Sequence, residues 1–201
     1  GRDDYAVRHA LVAEDREDLL ASLRDAAAWP LKERRSAAPS VILMCSDDAD
    51  AGEAHVRHLC EIHSAFRSAW QRCLELVPDL WGKREVRLVA YQYGLLQTWK
   101  SLGIKPARIL GTGTGNVTVQ FATGKLDLPA ALAQAEERAS ASFREGAFLA
   151  AVGRMIEEEN PLFVEMGTDG RLSRTLGERA AERVFPAVDA GRARLGLFPA
   201  F

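Results

Sequence analysis

The segment Arg108-Ile109-Leu110-Gly111-Thr112-Gly113-Thr114-Gly115-Asn116 carries the most chemically suggestive pattern in the chain. A G-x-S-x-G turn between a strand and a helix lifts a nucleophilic serine above a sheet, and its flanking glycines permit the strained geometry. Gly111 and Gly115 stand at the flanking positions, but the centre is Gly113, which has no side chain. Thr112 and Thr114 bring hydroxyls to the same turn. A hydroxyl attacks only when a base is positioned beside it, and no residue has a reason to be adjacent in that role. The glycines also suggest a phosphate cradle of backbone amides at a helix start. Asn116 stands where G-x-G-x-x-G needs its third glycine, and the lysine of a P-loop is absent, so nucleotide binding is not expected.

His55, His58, Cys60 and His63 form a second cluster with metal-binding residue types. On one helix His55 and His58 lie about 60° apart, and Cys60 about 140° from His55. Four such side chains do not converge on one ion, whereas a closed site takes four ligands. The expectation is a surface helix with scattered histidines, no metal and no other cofactor.

These residues need a fold to place them, and 201 residues allow one domain, or one and a small appendage. Hydrophobic residues make up 47% and charged residues 27%, an ordinary balance for a soluble globular protein that excludes disorder and a disulfide scaffold. Lys plus Arg is 26 against 28 Asp plus Glu, so nothing steers the chain toward nucleic acid or an acidic membrane. Cys45, Cys60 and Cys73 are few and odd in number, and Cys60 and Cys73 point to opposite sides of one helical stretch. Free thiols and a cytoplasmic location are expected. No apolar run approaches the ~20 residues of a membrane span. Gly1 stands where a complete chain has Met, which reads as a cut end of something longer.

Periodicity divides the chain into alternating elements. Tyr5–Val12 reads as an extended segment and Glu14–Ala28 as a helix stopped by Pro30. Lys32–Ser40 is a linker candidate. Val41–Met44 is a buried parallel strand by its unbroken apolar run. One helical spacing runs from His55 through Leu59, Ile62, Phe66 and Trp70 to Cys73, and another covers Val86–Leu102, closed by Gly103. Ala107–Leu110 is the next strand, followed by the glycine turn and a helix over Val117–Ala122. Leu128–Arg138 and Phe143–Glu158 read as helices, Leu162–Met166 as a strand, Leu172–Arg183 as a helix and Val184–Val188 as a fourth strand. Such alternation predicts an α/β fold with a mostly parallel sheet. Trp70, Trp81 and Trp99 are expected in the core or in helix packing, and Trp29 against a neighbouring domain.

A series of motifs then resembles one family in order along nearly the whole chain. Gln92-x-x-Leu95-Leu96-x-x-Trp99-x-x-Leu102-Gly103-Ile104-x-Pro106-x-x-Ile109-Leu110-Gly111 is similar to the approach to the active serine in acyltransferase domains of polyketide and fatty acid synthases. Ala122-Thr123-Gly124-Lys125-Leu126-Asp127-Leu128-x-x-Ala131 and Phe163-Val164-Glu165-Met166-Gly167-x-x-Gly170-x-Leu172 resemble two later motifs of that family, and Phe66-Arg67 with Cys73 resembles an earlier one. Residues 1–36 resemble the linker that joins a ketosynthase to such a domain, and residues 37–201 the domain itself. The resemblance implies a three-layer, hydrolase-like large subdomain.

The departures from the family pattern bear on function. The family serine is Gly113, the preceding histidine is Thr112, and the glutamate after the second glycine is Asn116. The family's oxyanion loop is replaced by Cys45-Ser46-Asp47-Asp48-Ala49, and an acid such as Asp47 there would repel a developing oxyanion. Arg138 falls at the spacing of the family arginine that pairs with a dicarboxylate extender. The chain then passes almost directly to Phe143, without the ferredoxin-like small subdomain and the catalytic histidine. The resemblance therefore implies no catalytic residue and no enzyme activity, with Gly111, Thr112, Gly113, Thr114, Gly115, Asp47 and Arg138 as a vestigial site. The implied role is a spacer and docking surface beside a ketosynthase in a modular polyketide synthase, with a free-standing, trans-acting acyltransferase or an acyl carrier protein as partner. The alternative is a repurposed cleft for an acyl or phosphopantetheine thioester. The old cleft wall around Gly113 and Arg138 is expected to be exposed and to carry the docking contact.

Overall fold

The computed structural model describes residues 13, 15–25, 40–47, 52–137, 145–159, 161–168, 170–176, 184–186, 188–189 and 194–195. Helix α1, Arg16–Asp25, has Glu17 and Asp18 in its first turn and Arg24 in its last, the charge order that suits the helix dipole. The Asp15 carboxylate accepts the Glu17 and Asp18 amides and caps it. Leu19, Leu20 and Leu23 on this helix are exposed.

Four strands, β1 (Val41–Cys45), β2 (Arg108–Gly111), β3 (Leu162–Glu165) and β4 (Val184–Pro186), form one parallel sheet in the order β2-β1-β3-β4. The alternation of elements in the sequence is thus realised as a mixed α/β fold. Every residue of β1 is buried. Val41, Leu43 and Cys45 face a cluster with Phe66, Trp70, Val89 and Leu96, while Ile42 and Met44 face another with Phe148, Val152, Phe163 and Leu172. Burial on both faces is why the strand is apolar without alternation.

The main face is covered by α2 (Glu53–Ile62), α3 (Ser64–Leu76) and α4 (Arg84–Ser101), with a 3-10 turn at Leu80–Gly82 before α4. α5 (Gly115–Ala122) and α6 (Leu128–Glu137) follow β2, and α7 (Glu145–Glu159) leads into β3. Phe66 stacks on Trp70, meets Tyr91 edge-on and presses on Gly94, where a Cβ would lie 2.6 Å from the Phe66 ring. A glycine inside α4 costs roughly 0.5–1 kcal/mol. The buried phenylalanine it admits contributes about 1.5–3 kcal/mol, so the exchange is favourable. Trp70 and Trp99 are buried, and Trp81 packs on Trp70 at 5.2 Å, as expected from the sequence.

Three expectations change. The single helix from His55 to Cys73 is two, broken at His63, whose backbone is extended. The last carbonyls of α2 find a side-chain partner instead of continuing helix: the Arg67 guanidinium donates to Cys60 O at 2.6 Å and Glu61 O at 3.1 Å. A through-helix angle between Cys60 and Cys73 therefore has no meaning, although all three cysteines are free. The fourth strand also divides. Val184–Pro186 joins the sheet, whereas β5 (Val188–Asp189) pairs antiparallel with β6 (Arg194–Leu195). Pro186 has no N–H to carry the ladder on.

The third change concerns the histidines. His58 is exposed, but His55 is half-buried and its Nε2 lies 3.2 Å from the hydroxyl of the buried Tyr91. Burial, with a smaller effect of the His58 charge, holds His55 and His63 below the ordinary imidazole value of 6.5. Both therefore bind protons more readily when the chain is unfolded. Their contribution to stability is complete above about pH 6.5 and is lost as pH falls through the lower folded-state values. Thermal melts from pH 7.5 to 5 are expected to show a falling midpoint, with a shallower fall in His55→Gln. A pH-independent midpoint over that range contradicts this.

Helix α8 (Arg171–Leu176) covers the first residues of the expected Leu172–Arg183 helix. The expected extended segment Tyr5–Val12, the linker candidate up to residue 39, Trp29, Arg138 and the short join to Phe143 lie outside the described residues.

Candidate functional site

Parallel register brings three strand ends side by side. Cys45 is opposite Gly111, and Met44 is opposite Glu165. The turns that leave β1, β2 and β3 are therefore adjacent: Ser46-Asp47, Thr112-Gly113 and Met166-Gly167. β1 connects toward β2 on one side and β3 toward β4 on the other, so the sheet changes direction between β1 and β3. Open α/β sheets place ligand sites beyond the strand ends at such a point.

The β2–α5 turn has the geometry expected of a nucleophile elbow. Gly113 has φ of +48°, a conformation that L side chains rarely adopt. The Thr112 amide donates to Cys45 O at 3.0 Å, and the amides of Gly115, Asn116 and Val117 bond back to Thr112, Gly113 and Thr114. The flanking glycines are required by contact. A Cβ on Gly115 would lie 2.6 Å from the Cys45 carbonyl carbon, and one on Gly111 would lie 2.7 Å from both Gly115 O and a Val119 methyl.

What occupies the elbow is a carboxylate from the turn that leaves β1. A Cβ on Gly113 would collide with the Asp47 side chain, lying 2.6 Å from its Cβ and 2.8 Å from its Cγ. Asp47 accepts a hydrogen bond from the Thr112 hydroxyl at 3.4 Å and pairs with Arg171 Nη1 at 3.3 Å. Thr112, Gly113, Thr114 and Gly115 are all buried. The expected exposed cleft wall at Gly113 is thus corrected: the turn is covered, with the neighbouring strand-end loop against it. Arg138 is not among the described residues, so its part in the wall is not placed.

Two buried polar groups hold these strand ends. Gln92 of α4 donates from Nε2 to Ser46 O at 2.8 Å and Met166 O at 3.1 Å, and its Oε1 accepts from the Thr118 hydroxyl at 2.6 Å. One side chain thereby ties β1, β3, α4 and α5 together. Glu165, fully buried, accepts from the Leu172 amide at 2.9 Å, the Ser173 amide at 2.9 Å and the Ser173 hydroxyl. These bonds fix the start of α8 and so set where Arg171 stands. Gln92→Leu removes the partners of two carbonyls and a hydroxyl at about 1–3 kcal/mol for each buried group left unmade. A loss of about 3 kcal/mol is expected in urea unfolding, and a loss below about 1 kcal/mol contradicts the assignment.

Burial disfavours the thiolate of each described cysteine. Cys45 is adjacent to the turn, but burial pushes its thiol up to about 12, so almost none is thiolate at neutral pH. Burial likewise pushes Cys73 to about 12. Among the described residues no group of His, Cys, Asp and Glu is placed to hold a metal ion, and no helix is long and apolar enough to cross a membrane.

Asp47 and Gly113 were both singled out in the sequence, but separately. Arg171 was missed, and its only signal was its position directly after Gly170 in Phe163-Val164-Glu165-Met166-Gly167-x-x-Gly170. Gln92 was legible as a motif residue, not as a tie between strands.

No protein-family model matches the chain, and no curated protein matches it significantly. Solved structures do. The acyltransferase domain from the second module of the salinomycin polyketide synthase superposes with a TM-score of 0.55 at 22% identity, over 65% of this chain and 36% of that one. The acyl transferase domain of ZmaA superposes with a TM-score of 0.63 at 10% identity, over 79% of this chain and 72% of that one. At these identities the likeness is one of fold, and it agrees with the resemblance read from the motifs. The chain has the fold of polyketide synthase acyltransferase domains, and spans about a third of the length of the first of these structures and about three quarters of the second.

Proposed function

We propose that this chain is a catalytically inactive acyltransferase-like domain of a modular polyketide synthase, serving as a structural spacer and docking surface. On this reading residues 1–36 are the end of a ketosynthase linker. Residues 37–201 are a three-layer large subdomain without the ferredoxin-like one. The observation that carries it is the state of the elbow: glycine stands in the nucleophile place and the Asp47 carboxylate stands against it. Acyl transfer needs a hydroxyl, a base and an oxyanion site together. Here the hydroxyl at the centre of the turn is absent, and the Asp47 side chain stands where that residue's side chain would be.

The partners on this reading are an adjacent ketosynthase and a free-standing acyltransferase or acyl carrier protein, in the cytoplasm. The turn, being buried, is not the docking surface. That burial also counts against the alternative of a repurposed cleft for an acyl or phosphopantetheine thioester. The test is intact mass after incubation with malonyl- and acetyl-thioesters. An unchanged mass is expected, and a stoichiometric acyl adduct on Thr112 or Thr114 would overturn the reading.

A further inference from the structure

The contacts of Asp47 have the composition of a ligand complex within one chain. A carboxylate accepts from a hydroxyl, Thr112, and pairs with a guanidinium, Arg171, on two different elements. The side chain is mostly buried, 15% exposed, although it sits on a loop end. It lies at the reversal of strand order, where an open α/β sheet receives an external ligand. Its seat is open only because Gly113 has no side chain, since a Cβ there would lie 2.6 Å from the Asp47 Cβ. The guanidinium is delivered by α8, whose start Glu165 fixes.

We propose that Thr112, Gly113 and Arg171 form a seat for a small carboxylate, and that Asp47 fills it as an internal ligand, closing the elbow to external carboxylates. Guanidinium is the group best matched to carboxylate. The glycine supplies the space and the hydroxyl supplies a neutral donor. A tethered carboxylate has a far higher local concentration than a free one, so the wild-type seat stays filled at any ordinary concentration of competitor. This inference concerns what the seat binds. It stands on contacts among this chain's residues and goes beyond the inactive-acyltransferase reading.

Vacating the seat tests it. Asp47→Ala in the 201-residue chain is expected to melt roughly 3–8 °C below wild type in sodium chloride. Sodium acetate at matched ionic strength is expected to restore part of that loss saturably, as binding to the folded state requires. Wild type and Asp47→Asn, whose seat remains filled, are expected to show no saturable response to acetate. Adding Arg171→Met to Asp47→Ala is expected to abolish the recovery. The proposal is overturned by an Asp47→Ala midpoint equal to wild type, by acetate raising all variants alike, by recovery that survives Arg171→Met, or by an Asp47→Ala chain that folds at no acetate concentration. None of these outcomes bears on acyl-adduct formation, so the two readings fail separately.

Discussion

Gly113→Ser is expected to yield a less stable protein that still forms no acyl adduct. The substitution restores the nucleophile of a G-x-S-x-G turn, so it is the obvious repair. Two costs oppose it. At φ of +48° a side chain on an L-residue costs about 1–2 kcal/mol. The new Cβ would also lie 2.6 Å from the Cβ of Asp47, too close to be absorbed by a rotamer change alone. Overpacking of this kind costs about 1–3 kcal/mol. Together the loss is about 2–5 kcal/mol, a large share of the stability of a typical domain.

Chemistry does not compensate. The described histidines, His55, His58 and His63, lie on α2 and at its end, and His55 is engaged with Tyr91. A serine without a base stays protonated and weakly nucleophilic at neutral pH. Asp47→Gly offers a second-site check. In the wild-type background it removes the Asp47–Arg171 ion pair and is expected to destabilise. In Gly113→Ser it removes the collision and is expected to stabilise, or at least to cost much less. Residues in contact couple in this way, whereas separated ones add. Additive effects in urea unfolding would show that Asp47 and Gly113 do not share the space. Turnover approaching that of an intact acyltransferase in Gly113→Ser would show that the missing small subdomain is dispensable.

Gly115→Ala carries the second large effect, and its sign is set by one contact. Alanine is favoured over glycine within a helix by roughly 0.5–1 kcal/mol, so propensity alone predicts a more stable protein. Gly115, however, starts α5 against the end of β1, where a Cβ would lie 2.6 Å from the carbonyl carbon of Cys45 and 3.0 Å from Ser46 O. These are backbone atoms at the end of a strand inside the sheet and of the residue after it, so no side chain can swing aside. Either β1 or α5 must shift, which also disturbs the Gln92 bonds to Ser46 O and Met166 O. The expected loss is about 3 kcal/mol, at the upper end of overpacking costs. In a chain of this size that lowers the melting midpoint by roughly 6–12 °C. Gly153→Ala on α7 is the internal control, because a Cβ there meets nothing within 4 Å. That variant is expected to melt at or above wild type. A Gly115→Ala midpoint no lower than that of Gly153→Ala would remove the close approach of α5 to β1 from the account.

Local pattern was sufficient for much of the fold. Val41–Met44 is apolar without alternation, as a strand buried on both faces is, and Leu162–Met166 is apolar but for Glu165; both lie inside the sheet. Gly111 and Gly115 mark a turn with close backbone approach from their spacing alone. The glycine at the centre of that turn, Gly113, was equally legible, because a residue type needs no fold to be read. Where the pattern misled, a non-local partner prevailed. Helical spacing runs unbroken across His63, yet Arg67 takes the carbonyls of Cys60 and Glu61 and the helix stops. Only tertiary structure decided what stands in the vacated place. Asp47 and Gly113 are 66 positions apart and Arg171 lies 124 beyond Asp47. Parallel register, not sequence proximity, aligns Cys45 with Gly111 and Met44 with Glu165 and so gathers their turns. Whether a turn is exposed or closed depends on which distant loop reaches it, and a linear pattern carries no such distance.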